Sequence, residues 1–436
     1  MSEKFVIEGG RPLSGEVTAA GNKNAALPII AACLLTDEEL VLTNVPRIRD
    51  TEAQVAILER MGVRAEWGSD HELRLRADNV TDTAPDEELS SRIRASFLLA
   101  GPLLARFGEA IMPPPGGDFI GRRRLDPHLD AFKDMGAHVE GTRQIEITAP
   151  NGGLKPCVVF MDEPSVMGTE NALMAAALTP GPTTIYNAAC EPHVQDLARL
   201  LVKMGAEIDG IGSNIMTVHG RDKLGGAEHR ISPDHIEIGS FMALAAATGG
   251  EVCIRDTQPE DLRMIFRQFR RLGLEARVEG TDVIVPAGVK LEVKDDLGDA
   301  IPKIEDGPWP AFPADLTSIA LALATQADGT ILIFEKMFEN RLFFTDKLVA
   351  MGARITLCDP HRAIVSGPSR LHGERVESPD IRAGMAMLIA ALAAEGRSEI
   401  GNIVQIDRGY EAIDDRLRSL GARIERVAVE PVPARA

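Results

Sequence analysis

The stretch with the densest reactive chemistry runs from Pro113 to His128 and reads Pro-Pro-Pro-Gly-Gly-Asp-Phe-Ile-Gly-Arg-Arg-Arg-Leu-Asp-Pro-His. Each proline lacks a backbone N–H and fixes φ, so regular structure stops there. Gly116 and Gly117 then open backbone angles closed to other residues. Asp118 follows the glycines, and Arg122, Arg123 and Arg124 come close behind, before Asp126 and His128. An acid at a loop tip, backed by guanidinium groups, suits a dense anion undergoing proton transfer. The same composition also fits a solvated surface loop. Other charges sit where apolar stretches begin: Lys23, Arg94, Asp315 and Arg382. Asp315 follows Pro310-Ala311-Phe312-Pro313 and fits two readings, a functional carboxylate or a helix N-cap.

The 436 residues exceed one ordinary core, so two or three domains are expected. The net charge is −18 and no long basic run is visible, which argues against nucleic-acid binding. An anionic ligand must then be held by local arginine clusters against the overall field. The five cysteines, Cys33, Cys157, Cys190, Cys253 and Cys358, are far apart, mostly in apolar surroundings, and form no CxxC pair. That pattern suits a reducing cytoplasm better than a zinc site or a disulfide framework. The nine histidines form no HxxxH or HExxH motif, so no metal is implied. The start, MSEKFVIEGG, shows no signal-peptide core, and the apolar run 25–35 is short and broken by Pro28. A cytoplasmic protein without membrane contact is the expectation.

The elements that must carry these residues are repeated. An apolar helix end, a glycine and then a strand recur six times, with glycines at 62, 136, 205, 273, 352 and 421, spaced by 68 to 79 residues. Each glycine fits the left-handed residue that ends a helix. Alternation such as Ala422-Arg423-Ile424-Glu425-Arg426-Val427 predicts the strand that follows. Each unit also holds a second helix of nearly continuous Ala, Leu, Ile and Met, expected near 23–35, 94–106, 169–178, 237–247, 315–326 and 382–394. Such helices are buried on most sides. An open solenoid needs polar caps, and none is visible, so two closed groups of three units are expected, dividing near 220–235. Two similar α/β domains would face each other across an active cleft. The last residues, 430–436, read as a frayed tail.

Several motifs, in order, resemble the enolpyruvyl transferase family, and within it the UDP-N-acetylglucosamine enolpyruvyl transferases. They are Gly21-Asn22-Lys23-Asn24-Ala25-Ala26-Leu27-Pro28, Ile93-Arg94-Ala95-Ser96, Gly116-Gly117-x-x-Ile120-Gly121, Glu170-Asn171, Phe312-Pro313-Ala314-Asp315, Phe338-Glu339-Asn340-Arg341 and Ile406-Asp407-Arg408-Gly409-Tyr410-Glu411. The resemblance runs from about residue 5 to residue 427. It implies an inside-out α/β barrel pair, with one domain over 22–233 and a second made of 1–21 plus 234–436. It also implies transfer of the enolpyruvyl group of phosphoenolpyruvate to the 3′-hydroxyl of UDP-N-acetylglucosamine, with no metal or cofactor, in a monomer or weak homo-oligomer.

Residue by residue, the resemblance implies that Lys23, Arg94, Arg123, Arg341, Arg382 and Arg408 hold or surround the anions. Lys23, Arg123 and Arg408 would meet phosphoenolpyruvate itself. Asp118, Asp315 and Lys23 form the expected catalytic set, with Asp315 at the sugar hydroxyl. Asn24 would orient the acceptor or serve as a cap. Asp126 and His128 fall where the family meets the uridine, although His128 also reads as a plain loop histidine. Ser165 and Val166 complete the expected binding set. Three departures from the family pattern stand out. Asp118 replaces the usual Cys, which predicts insensitivity to the thiol-alkylating epoxide fosfomycin. Arg122-Arg123-Arg124 replaces a single Arg followed by Pro. Asp162-Glu163 stands where a Lys is common, and Arg122 or Arg124 is the expected compensation. A different nucleotide acceptor is the alternative that this last change keeps open.

Overall fold

The computed structural model describes residues 3–68 and 71–429, so the tail at 430–436 lies outside the described residues. The six units of the sequence appear as six small sheets, each of three or four strands, with helices between them. The covering helices Arg49–Arg60, Asp126–Asp134, Pro192–Lys203, Arg263–Phe269, Thr345–Ala350 and Ile413–Ser419 precede the six repeated glycines. All six of those glycines have positive φ, between 80° and 112°, and a strand follows each of them. A Cβ in that region is strained, so the repeated residue is dictated by backbone geometry.

The apolar helices lie inside. In the first half, Lys23–Ala31, Ala100–Phe107 with its 3₁₀ lead-in Arg94–Leu99, and Val166–Ala177 pack on one another. In the second half, His235–Thr248, Thr317–Ala324 and Ile381–Ala393 do the same. The sheets wrap around these helices, which is the inside-out arrangement of an α/β barrel. Ile381 to Leu392 are all buried. A large apolar side chain buried this way contributes about 1.5–3 kcal/mol. A helix this apolar begins with Arg382, only 4% exposed, whose burial is costly without a partner.

Two separate apolar cores result. One gathers residues from Ala25 to Ile231, and the other combines Phe5, Ile7, Leu13, Val17 and Ala19 with residues from Ile236 to Ile424. The N-terminal strand Glu3–Glu8 lies in the middle of the sixth sheet, antiparallel to both Arg397–Gly401 and Arg423–Ala428. The next strand, Gly15–Thr18, pairs in parallel with Val252–Arg255 of the fourth unit. In return, Ala227–Arg230 pairs with Glu39–Thr43 of the first unit. The chain therefore crosses between the halves near 19–22 and again near 231–234. The crossings run side by side: the Asn22 N–H donates to the Ser232 carbonyl at 2.8 Å, and the Asp234 N–H to the Ala20 carbonyl at 2.9 Å. Each crossing ends in a helix cap, Asn22 for one central helix and Asp234 for another.

Candidate active site

The two halves enclose a cavity, and the opening turn of every central helix contributes to its wall: Lys23, Arg94, Val166, His235, Asp315 and Arg382. The first backbone N–H groups of a helix have no partner within it, and the helix dipole adds positive charge there. Asn22, Ser165, Asp234 and Asp380 cap four of these ends, so the helix dipoles favour an anion there and side chains must hold it.

The side chains reinforce this on one wall. Lys23 Nζ lies 2.9 Å from Asp50 Oδ2, and Arg408 Nε lies 2.9 Å from Asp50 Oδ1. Burial raises the cost of the Asp50 charge, yet Lys23 and Arg408 together hold its carboxyl below the ordinary range. Arg408 also binds Asp118 of the proline-rich loop. Arg341 and Arg382 both meet Asp315, each at 3.0 Å, and Asn24 Nδ2 reaches the same carboxylate at 3.4 Å. Although Asp315 is desolvated, Arg382, Arg341 and Lys23 hold it far below the usual carboxylate range. The helix-cap reading of Asp315 is not what is found, since Pro313 occupies the cap position and Asp315 faces the arginines. Arg382 packs over the Tyr410 ring at 5.4 Å.

Of the five arginines that line the cavity, Arg341, Arg382 and Arg408 pair with carboxylates, whereas Arg94 and Arg123 have no carboxylate partner among the described residues. Arg94 donates only to the carbonyls of Arg123 and Arg124, at 2.7 and 3.3 Å. Burial and the neighbouring Arg123 push Arg94 down to about 10. Burial likewise lowers Arg123, against the pull of Asp118 and Asp315. Partly desolvated cations that repel each other favour an added anion between them.

The loop closes this wall. A Cβ on Gly116 would come within 1.9 Å of the Ser91 carbonyl oxygen, and Gly117 has φ +105° with Arg94 directly beneath it. Only glycine lets the loop lie that close. Its far side is tied to the second half: the Asn340 N–H donates to the Ile120 carbonyl at 3.0 Å, and the Arg122 N–H to Glu339 Oε2 at 3.1 Å.

Another part of the lining is of a different kind. Glu170, Glu191, His193, His235 and Trp309 line it. Burial and the neighbouring Glu191 raise Glu170 well above a normal carboxyl, and burial raises Glu191 as well. Burial lowers His193 to about 4 and His235 to about 3. Burial thus disfavours the charged form of each of these groups, and the two histidines are neutral near pH 7. The two imidazole rings stack with centroids 6.1 Å apart. Glu170 Oε1, Glu191 Oε2 and His193 Nδ1 are buried without a hydrogen-bond partner, which suits a neutral polar ligand group.

Among the residues expected from the sequence, Lys23, Asn24, Arg94, Asp118, Arg123, Val166, Asp315, Arg341, Arg382 and Arg408 are brought to the cavity. Three expected residues are placed elsewhere. His128 is buried beside the Phe97 ring, accepts from Asn171 Nδ2 at 2.8 Å, and is pushed by burial down to about 3. Ser165 caps the helix Val166–Ala177 by accepting from the Gly168 N–H. Asp126 is exposed and pairs with Arg124. Arg124 also binds Asp162 at 2.8 Å, so it answers the local acids rather than replacing a cavity cation, and Arg122 is exposed. Cys358 is exposed as well, an exception to the mostly apolar surroundings expected of the thiols, and no cysteine lines the cavity among the described residues.

Sequence reasoning missed Asp50, Glu170, Glu191, His193, His235 and Trp309. Asp50 opens a covering helix, where an acid is ordinary, so its type carried no signal. His193 and His235 each follow closely on a helix start in neighbouring units, and that matched placement was the one available clue.

Comparison with known proteins agrees with this geometry. Residues 7–417 match the model of the EPSP synthase (3-phosphoshikimate 1-carboxyvinyltransferase) family. The UDP-N-acetylglucosamine 1-carboxyvinyltransferase of Bradyrhizobium diazoefficiens is 57% identical, over 97% of this chain and 98% of its own length. The protein of the same name from Treponema denticola is 53% identical, over 97% and 99%. Among solved structures, the enolpyruvyl transferase NikO from Streptomyces tendae superposes with a TM-score of 0.87 at 25% identity, over 99% of this chain and all of that one. EPSP synthase from Acinetobacter baumannii, at 19% identity and a TM-score of 0.75 over 98% and 100%, shares the fold. With a family match over nearly the whole chain and relatives above half identity, this chain belongs to the EPSP synthase family of carboxyvinyltransferases.

Proposed function

We propose that the protein is a UDP-N-acetylglucosamine 1-carboxyvinyltransferase, catalysing the first committed step of peptidoglycan synthesis. It moves the enolpyruvyl group of phosphoenolpyruvate to the 3′-hydroxyl of UDP-N-acetylglucosamine and releases phosphate. The observation that carries the reading is the pair of carboxylate-free guanidinium groups, Arg94 and Arg123, among six converging helix ends. Phosphoenolpyruvate brings a carboxylate and a phosphate into that space, where Lys23, Arg123 and Arg408 meet them.

The addition step joins the acceptor oxygen to C2 of phosphoenolpyruvate, while the hydroxyl loses its proton and C3 gains one. In the elimination step C3 gives a proton back and the C2–O bond to phosphate breaks. Asp118, at the loop tip, is the group proposed to exchange the C3 proton, and Asp315 the group that takes the proton of the acceptor hydroxyl. Held by two arginines, Asp315 is a weak base. Phosphoenolpyruvate adds negative charge beside those same arginines, which raises the proton affinity of Asp315 when the substrate is present. Base strength thus follows substrate binding.

The reading also carries a domain 1 over 22–233 and a domain 2 over 1–21 plus 234–436, which the two separate cores support. A cytoplasmic monomer or weak homo-oligomer belongs to it too. No helix among the described residues is long and apolar enough to cross a membrane. Phosphate release measured with phosphoenolpyruvate and a panel of nucleotide sugars tests it. Turnover confined to UDP-N-acetylglucosamine is expected, and equal turnover with another acceptor overturns it.

A further inference from the structure

Behind Asp315 lies a second acidic centre that takes no part in the chemistry described above. Strands Lys303–Glu305 and Gly329–Phe334 run parallel, with Glu305 beside Phe334 in register. The next residue of each strand is an acid, Asp306 on one and Glu335 on the other. The two side chains therefore leave the sheet at the same level, as neighbours. Asp306 is 1% exposed and Glu335 fully buried. Glu335 Oε1 accepts from the Met337 and Phe338 N–H groups, at 3.2 and 3.1 Å, and Asp306 Oδ1 accepts from the Lys336 N–H. The other oxygens, Asp306 Oδ2 and Glu335 Oε2, have no hydrogen-bond partner. An ionised carboxyl carries no donor, so neighbouring buried carboxylates are satisfied only when a proton sits between them.

Arg341 is shared between this centre and the cavity. One NH group holds Asp315 at 3.0 Å, while its Nε lies 3.6 Å from Glu335 Oε2, too far for a good bond and itself without a partner. We propose that Glu335 is a positioning residue that works as a neutral acid, donating to Asp306 and so leaving Arg341 committed to Asp315. Ionised Glu335 would draw the guanidinium inward and away from Asp315. Burial and the neighbouring Asp306 raise the Glu335 carboxyl above its ordinary range, against the pull of Arg341. The other polar neighbours are Thr317, whose hydroxyl faces the pair, and His361, whose Nδ1 meets the Glu335 carbonyl at 2.7 Å. Beyond Arg341 lie Asp315, Asp380 and Arg382.

The inference rests on the proposed enolpyruvyl transfer for its kinetic consequence, but not for its thermodynamic one. Between the ordinary carboxyl pKa and the raised one, the folded protein keeps a proton that the unfolded chain releases. Stability contributed by Glu335 is therefore lost as pH rises through that window. Thermal unfolding of the whole protein from pH 5 to pH 9, without substrate, should show this loss. Glu335→Gln should remove it, because the amide donates without titrating. In the phosphate-release assay the alkaline limb should move up by about one pH unit or more in Glu335→Gln. In Asp306→Asn the new amide donates to Glu335 and stabilises its ionised form, so the same limb should move down. Opposite shifts from two neighbouring isosteric changes are not expected of a packing role. If both limbs stay within about 0.3 pH units of wild type and the stability profiles coincide, the proposal is wrong. If no acceptor supports turnover but the stability profiles differ as stated, the functional reading fails and this one stands. Should Glu335→Gln not fold, Asp306→Asn carries both readouts alone.

Discussion

The two walls of the cavity solve opposite problems with similar residues. On one side Asp50 and Asp315 are acids that stay charged because lysine and arginine surround them. On the other, Glu170 and Glu191 are acids whose ionised form burial disfavours, with Glu191 adding to the effect on Glu170. Carboxyl groups are present on both sides, so residue type does not distinguish the walls. The nearest cation does. A charged wall next to a neutral one is what a ligand with a dense anionic end and an uncharged polar body requires.

The comparison can be tested from its largest expected effect downward. Asp118→Cys places a thiol at the loop tip, and thiolates open epoxides readily near neutral pH while carboxylates do not. Intact-mass spectrometry after fosfomycin treatment should show a stoichiometric adduct in Asp118→Cys and none in wild type. A wild-type adduct with lost activity would show that the loop tip has been misassigned.

The same acid-to-amide change should then behave differently on the two walls. Asp315→Asn should lower turnover by about 10²–10⁴-fold with native circular dichroism retained. Glu170→Gln keeps the shape of a carboxyl whose charge burial already disfavours and should stay within about threefold of wild type. Equal losses in both variants would erase the distinction between the walls. Arg123→Lys comes next, because lysine keeps the charge and loses the two-pronged contact. At about 1.5–3 kcal/mol per charged hydrogen bond, the KM for phosphoenolpyruvate should rise about 10- to 100-fold, with a much smaller change for the acceptor.

The smallest effect is in stability. His128, His193 and His235 bind protons far less readily when folded than the value near 6.5 expected in an unfolded chain. Their folded pKa is depressed, so the stability involved is complete above about pH 6.5 and is lost as pH falls toward 4. Each group contributes up to about 1.4 kcal/mol per pH unit within that window. Thermal unfolding at pH 7 and pH 5 should show the loss, and His193→Gln should reduce it by roughly a third. An unchanged pH dependence in that variant would mean that His193 can be protonated in the folded protein.

The sequence made the charged wall far more visible than the neutral one. Lys23, Arg94 and Arg382 stand at the mouths of apolar helices, where a cation is out of place unless something pays for it. The six glycine stops gave the repeat, because a left-handed helix end excludes most other residues. Asp50, Glu191 and Glu335 carry no such contradiction in their local sequence. Their meaning comes from partners such as Arg408, 358 residues from Asp50 along the chain. His128 was misjudged for the converse reason: a histidine after a loop looks available, and only packing against Phe97 shows that it is not.

The strand Glu3–Glu8 has a consequence for how the protein is made. It is made long before its neighbours Arg397–Gly401 and Arg423–Ala428. The core that runs from Ala25 to Ile231 can assemble while synthesis continues, since domains generally fold as units and N-terminal ones first. The strand Glu3–Glu8 must meanwhile wait, its backbone groups unpaired, until those partners are made. Its outward residues are suited to waiting: Glu3, Lys4 and Glu8 keep a bare edge charged, and charge of this kind discourages pairing with another nascent chain. Maturation of the second half thus waits for those two strands, so a polypeptide released before them would carry a finished first half and a strand Glu3–Glu8 with nothing to join.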